Sequence, residues 1–268
     1  MKVVMTGAAG GVGTMTRPHL VGAFDQMIVS DRSEITELHE RDTFVPADLT
    51  DMAAMERLLE GADGVIHLGG QAVEADWDAV HSANIVGLYN TYEAAHRQGC
   101  QRIVFATTNH VVGFYRRQLT IDHTAMPRPD SRYGVSKAFG EALGRMYADK
   151  YGLRVLNIRI GNVDHRPADV RRLSIWISPR DLAQLFRIGL THPDIHCETV
   201  YGASNNLRSW WDNSNAYRLG YRPQDEAEDY AEHAHAVTHE HPEDPITAQF
   251  HGGPFCAIEF AGDVRRIR

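Results

Sequence analysis

Tyr133 and Lys137 stand at the ends of the segment Tyr-Gly-Val-Ser-Lys. On a helix, residues four apart share one face, a turn from each other. A tyrosine ordinarily loses its proton near a pH of about 10. A neighbouring ammonium favours the phenolate and lowers that value, and a cationic oxidised nicotinamide would lower it further. Tyr133 is then a candidate general base near neutral pH, with Lys137 also placed to hold a nicotinamide ribose. Upstream, an apolar run closes in Ala106-Thr107-Thr108-Asn109. The Thr108 hydroxyl can donate to, or accept from, a reacting oxygen. Hydroxyl, phenol and ammonium around one oxygen make a hydride-transfer site. A Tyr-x-x-x-Lys spacing alone equally describes an amphipathic helix with its aromatic inside and its lysine outside; the strand ending at Thr108 is what gives it weight. Asn84, in a long helical stretch, either orients Lys137 through water or is an ordinary exposed helix asparagine.

Hydride chemistry needs a carrier, and the N-terminus offers a place for one. The run Val3-Val4-Met5-Thr6 reads as a strand and leads into Gly7-Ala8-Ala9-Gly10-Gly11-Val12-Gly13. Gly7 suits the tight turn, Gly10 the close approach of a pyrophosphate, and Gly13 the contact between the following helix and the sheet. The free N–H groups of that helix face the phosphates. Asp31, with Arg32 and Ser33, follows a second strand and suits the adenosine ribose; its carboxylate would repel a 2′-phosphate and so favours NAD over NADP, although Arg32 could pair with that phosphate. Asp48 has the position expected to meet the adenine, with Leu49 beside it, or else caps a helix with Thr50 and Asp51. Leu68, Gly69 and Gly70 end a further strand where small residues let a cofactor lie flat on the sheet edge.

These positions must be held by a regular frame. Strands are expected at 3–7, 27–31, 43–49, 64–70, 102–108, 154–162 and 196–202. Helices are expected at 10–21, 52–60, 77–97, 133–151 and 178–190, the last opened by Pro179. Such alternation predicts an α/β fold, a Rossmann-type doubly wound parallel sheet with helices on both faces. Residues 1–160 are read as the NAD-binding domain. Residues 161–268 are read as a small C-terminal substrate-facing lobe and tail, interleaved with it, with turns, aromatics and a polar tail from 204 onward. The chain has 268 residues, 43% hydrophobic and 23% charged, which excludes a disordered or fibrous protein. Its apolar runs fall far short of the roughly 20 residues that span a bilayer. The start of the chain lacks the apolar core of a signal peptide, so a cytoplasmic location is expected. A net charge of −8 with no basic face argues against nucleic acid. Cys100, Cys197 and Cys256 are too sparse for a disulfide framework or a zinc site, and no metal is expected.

Several longer segments carry a resemblance: HLGG at 67–70, NIVGLYNTYEAA at 84–95, RIVFATTNH at 102–110, RPDSRYGVSKAFGE at 128–141, RIGN at 159–162, VYGAS at 200–204 and WWDN at 210–213. The chain resembles the uronate dehydrogenase family, in the extended, epimerase-like branch of the short-chain dehydrogenase/reductase superfamily, over roughly 1–255. The resemblance implies NAD-dependent oxidation of the anomeric C1 hydroxyl of galacturonate or glucuronate to an aldarolactone. It makes Tyr133 the proton acceptor, Lys137 its partner and Thr108 the hydroxyl. Asn109 and His110 would bind sugar hydroxyls, Asn162 the substrate and Val163 the cofactor. Arg171, or Arg172 in another loop register, would pair with the C6 carboxylate. Gln71 and Ala72 stand where relatives offer the sugar a serine, Thr107-Thr108 where Ser-Ser is commoner, and Asn162 where serine is commoner. RIGN is closer to sugar 1-dehydrogenases of hexose 6-phosphates.

The alternatives differ in substrate and in class. Another C6-anionic hexose, glucose 6-phosphate or sulfoquinovose, would suit Arg166, Arg171 and Arg172 together. A non-catalytic NAD(P)-sensing protein would keep the fold without the chemistry, and a sugar-nucleotide epimerase would need a larger lobe. By analogy with relatives, the helices at 77–97 and 133–151 are expected dimer faces of a homo-oligomer. His233, His235, His239 and His241 are read as a solvated polar segment rather than a metal site, and Trp210 and Trp211 as packing residues.

Overall fold

The apolar runs become strands whose side chains alternate between two cores. In β1 (Lys2–Thr6), Val3 and Met5 face one core and Val4 the other. A strand covered on both faces buries every side chain, which is why the run shows no polar alternation. A computed structural model describes residues 1–241 and 243–267; Pro242 and Arg268, both in the segment 161–268, lie outside the described residues.

The remaining strands are β2 (Gln26–Ser30), β3 (Asp42–Phe44), β4 (Gly64–His67), β5 (Arg102–Thr108), β6 (Arg154–Ile160), β7 (Asn162–Val163), β8 (Trp176–Ile177) and β9 (Cys197–Gly202). Among the described residues one seven-stranded sheet runs in the order β3-β2-β1-β4-β5-β6-β9, every pair parallel. The chain winds outward from β1 to β3, then returns to β4 and winds the other way. The strand order therefore reverses between β1 and β4, and ligands of such sheets bind outside the carboxyl ends of the strands at that point.

One face is covered by α1 (Gly11–Thr16) and α7 (Pro179–Thr191), whose Leu182, Phe186 and Leu190 join Val3, Met5 and Val104. The other is covered by α2 (Met52–Leu59), α4 (Gly87–Arg97) and α5 (Arg132–Tyr151), through Met55, Leu88, Tyr92, Leu143 and Tyr147. Both β9 and α7 lie beyond residue 160, so the sheet and its layers draw on both halves of the chain. Conversely, Val111, Val112 and Ile121 leave the first half to join Ile175, Tyr201, Ala203 and Trp211 in a separate cluster. The tail returns across this cluster: the Gly252 N–H donates to the Gly113 carbonyl at 2.9 Å and the His251 N–H to the Tyr115 carbonyl at 2.9 Å.

Several boundaries depart from the expected ones. The helix predicted for 10–21 is α-helical only to Thr16 and continues as a tighter turn over Arg17–Leu20, because Pro18 has no N–H to carry an α-helical bond. The strand predicted for 43–49 ends at Phe44, short of Pro46, which cannot donate to a ladder. The strands expected to reach 31, 70 and 162 end at Ser30, His67 and Ile160. The stretch 77–97 is α3 (Trp77–Val80), a wider π-turn over His81–Val86, then α4. The polar tail is also more structured than expected. It contains α8 (Ser214–Arg218), α9 (Ala231–Glu240) and α10 (Pro254–Ala257). Ala234 of α9 is buried against Leu173 and Trp176 at and just after α6 (Arg172–Ile175).

Candidate active site

The carboxyl ends of β1, β2 and β4 open into a groove of about 610 Å³. It is lined by Gly7, Gly10, Gly11, Val12, Asp31, Arg32, Ser33, Asp48, Leu49, Leu68, Gly69 and Gly70, all expected at the cofactor from the sequence, and also by Gln71 and Ala72, which were expected at the sugar. Gly7 has a φ of +68°, and a Cβ on it would lie 2.5 Å from the Gly69 amide nitrogen. The turn therefore accepts only glycine, and it holds β1 and β4 together at the switch point. Gly13 is not a lining residue: a Cβ there would meet the Ala8 carbonyl at 2.6 Å, so its role is to let α1 settle on the loop. No side chain caps α1 and its first turn holds no acid, which leaves its N–H groups open toward the groove. Asp31 braces the loop, accepting the Ala9 N–H at 3.1 Å and the Ser33 N–H at 3.1 Å. Asp48 is not the cap of α2. Asp51 is, accepting the Ala54 N–H, while Asp48 accepts from the amide and hydroxyl of Thr50 and lines the groove. Glycines without room for a Cβ, open amides and a carboxylate at the end of β2 fit a dinucleotide.

Beyond the groove, the first turn of α5 faces the end of β5. Ser131 caps this helix, its hydroxyl accepting the Gly134 N–H at 3.0 Å. Tyr133 and Lys137 lie within its first turns and both are buried. The Tyr133 hydroxyl is hydrogen-bonded to that of Thr108. The Lys137 ammonium donates to the Ala106 carbonyl at 2.8 Å, with its nitrogen 5.8 Å from the centre of the Tyr133 ring. Phenol, hydroxyl and ammonium thus stand together as expected. The expected acidification of the phenol is not seen, however. Burial pushes Tyr133 up to about 12; the Thr108 hydrogen bond opposes this, and the Asp130 charge adds to it. Burial also draws Lys137 down to about 8. The ammonium is engaged by the Ala106 carbonyl, and desolvation is the largest influence on the phenol.

Asn84 is not an exposed helix asparagine. It is buried at the π-turn, donates to the Ser136 hydroxyl at 2.9 Å and to the Gln71 carbonyl at 3.0 Å, and accepts the Gln71 N–H at 2.7 Å. It fixes the loop after β4 to α5, one residue before Lys137.

Arg171 lies against the returning tail, at His251 and Gly253. Its guanidinium is buried and donates to the His251 carbonyl at 2.7 Å, but among the described residues it has no carboxylate partner and its Nε has no hydrogen-bond partner. Burial, reinforced by the Arg117 and Arg172 charges, pulls it down to about 10. Arg172 is not an alternative to it, because its guanidinium is paired with Asp169. Among the other buried polar atoms without a partner in the described residues are Nδ2 of Asn109 and Oδ1 of Asn162. These residues follow β5 and β6, adjacent strands paired Thr108 to Ile160. A buried donor and a buried acceptor without partners, and a buried cation without a carboxylate among the described residues, fit a place where a polar ligand completes the site. Val163 sits in β7, paired with Ile177, and packs on the first core.

Residues 3–171 match the NAD-dependent epimerase/dehydratase family. The chain belongs to the NAD-dependent epimerase/dehydratase family. Within it, the chain is 40% identical over 257 residues to a uronate dehydrogenase of Pseudomonas putida, covering 95% of each. It is 36% identical over 250 residues to an NAD-dependent glucose-6-phosphate dehydrogenase of Haloferax volcanii, covering 85% of this chain and 95% of that one. A crystal structure of the uronate dehydrogenase of Agrobacterium tumefaciens superposes with a TM-score of 0.90 at 39% identity, covering 96% of each chain.

Within this member of the family, two further residues touch the predicted ones. Glu74 accepts the Tyr133 N–H at 2.9 Å and an Arg132 N–H at 2.8 Å, tying the loop after β4 to the start of α5. Asp130 is bonded to His110 Nδ1 at 2.7 Å. Neither stands out in sequence: Asp130 lies within a loop rich in Pro and Asp, and Glu74 carries no motif. Trp210 and Trp211 are packing residues, stacked on His251 at 5.0 Å and on Tyr201 at 4.7 Å. The histidines of α9 are held at the surface, with His235 bonded to Arg208. Among the described residues no helix is long and apolar enough to cross a membrane.

Proposed function

We propose that the protein oxidises the anomeric C1 hydroxyl of a cyclic uronic acid, galacturonate or glucuronate, to the aldarolactone. When bound, NAD supplies the acceptor for the C1 hydride. The glycine turn, the open amides of α1 and the Asp31 carboxylate would hold its pyrophosphate and adenosine ribose, and Lys137 its second ribose. Tyr133 takes the C1 hydroxyl proton, and Thr108 holds the oxygen from which it leaves. Asn109, His110 and Asn162 receive the sugar hydroxyls.

The observation that carries the substrate class is the buried guanidinium of Arg171, which has no carboxylate partner among the described residues. A buried cation is costly unless a ligand supplies the missing charge, and a sugar carboxylate matches its planar fork. The glucose-6-phosphate dehydrogenase relative raises a second reading, a phosphate at C6. A dianion calls for more than one free cation. Here Arg172 is paired with Asp169, Arg117 with Glu243, and Arg166 is exposed. The observations therefore favour the carboxylate.

The test is NADH formation with galacturonate, glucuronate, glucose 6-phosphate and sulfoquinovose. Turnover is expected with the uronates. Loss of one charge-assisted contact predicts that Arg171→Ala raises KM for uronates by roughly 10- to 100-fold, with neutral aldoses little changed. Turnover confined to glucose 6-phosphate, or equal loss on neutral sugars, would overturn the assignment.

A further inference from the structure

Asp130 has a seat built for it. Its side chain is fully buried. A Cβ on Gly113 or on Gly252 would lie 2.0 or 1.8 Å from its Oδ2, so only glycines on both flanking segments leave the carboxylate room. Ser131 donates its hydroxyl to Oδ1 at 2.7 Å, and the Cys256 thiol lies 3.8 Å from Oδ2. The remaining contact of Oδ2 is His110 Nδ1 at 2.7 Å. The imidazole is itself clamped, stacked on Phe255 at 3.9 Å and edge-on to Tyr133 at 5.9 Å. It keeps 13% of its side-chain surface exposed.

A carboxylate only accepts hydrogen bonds, so Nδ1 must carry the proton, and in the neutral ring Nε2 is left with a lone pair. We propose that Asp130 is a positioning residue for sugar selection: it fixes the His110 tautomer so that Nε2 presents an acceptor, beside the phenol of Tyr133, to a sugar hydroxyl that must donate. This rests on the proposed uronate reaction and names the polarity of one of its substrate contacts. Asn109 Nδ2, a donor without a partner, supplies the opposite polarity nearby. Together they read hydroxyl orientation, and hence the epimer.

Asp130→Asn keeps the shape and reverses the polarity. Ser131 continues to donate to the Asn oxygen, which turns the Asn amide toward His110 and moves the imidazole proton to Nε2. Nitrogen NMR of the full-length protein, with His110 assigned by its loss in His110→Gln, should show Nδ1–H in the wild type and Nε2–H in D130N. KM for the preferred uronate should rise by about tenfold, the worth of one neutral hydrogen bond, with kcat held within about threefold. Among monodeoxyfluoro uronates, where fluorine can only accept, one analogue rejected by the wild type should be restored by D130N. In the H110Q background D130N should cost nothing further, since the two act as one unit. An Nε2–H tautomer in the wild type, or additive losses in the double variant, overturns the proposal. Should D130N fail to fold, the wild-type tautomer and the H110Q kinetics still decide it. Absence of uronate turnover in the wild type would refute the reaction, while the tautomer would stand or fall by NMR.

Discussion

Lys137→Met should make the protein more stable and nearly inactive. In the fold Lys137 titrates at about 8, against 10.5 for a free lysine, because burial penalises the ammonium. That difference corresponds to about 3 kcal/mol. The sign follows from proton uptake. Below about pH 8 both folded and unfolded chains hold the proton, and folding carries the full penalty. Between about 8 and 10.5 the unfolded chain holds more protons, so stability rises with pH. Above 10.5 both forms are neutral and the penalty is gone. The methionine side chain of K137M fills similar space without charge. It forgoes the bond to the Ala106 carbonyl, about 1 kcal/mol, leaving a net gain of about 2 kcal/mol at pH 7. Urea unfolding of both proteins across pH measures this. The wild-type curve should climb toward the variant's between pH 8 and 10.5 and cross it near the top of that range. A variant less stable at pH 7, or two curves that run parallel across the alkaline range, would refute the argument that burial dominates Lys137.

Two shorter predictions complement this. Tyr133→Phe should lower kcat by roughly 10²–10⁴, and the wild-type-minus-variant absorbance of the phenolate should emerge only near pH 12 without dinucleotide. Adding NAD should draw that signal to lower pH, since a cationic ring stabilises a phenolate; an unmoved signal would break the electrostatic link. Gly7→Ala, forced to a φ of +68° against Gly69, should weaken NAD binding by at least tenfold in a fluorescence titration, with Arg171 and the sugar site intact. Unchanged affinity would show that this turn does not shape the phosphate site.

The sheet was legible because its signals are local: strands buried on both faces must be continuous apolar runs, and a glycine turn between strand and helix has few other uses. The Tyr–Lys pair was legible for the same reason, since its spacing lies within one helix. What escaped was non-local. The acidity of Tyr133 depends on how deep α5 sinks and on the Ala106 carbonyl that captures Lys137, neither of which has a sequence signature. The burial of Asn84 was not legible because it sits in a π-turn, which shifts side chains around the helix axis. Asp130 and Glu74 act on residues 20 and 59 positions away in the chain. The α9 helix was missed because it buries little more than Ala234, which gives no apolar stripe to read.

The return of residues 249–255 across Gly113–Arg117 has a consequence for how such enzymes diversify. One short stretch carries the carbonyl that holds Arg171, one of the glycines that seat Asp130, and the ring that stacks on His110. It supplies none of the residues lining the dinucleotide groove. If the proposed sugar contacts hold, part of what sets sugar preference lies in this stretch, outside the dinucleotide groove, although its Phe255 also packs edge-on to Tyr133 at 6.3 Å. Exchanging that stretch between relatives is then a route to retuning which sugar is accepted while the electron carrier stays the same.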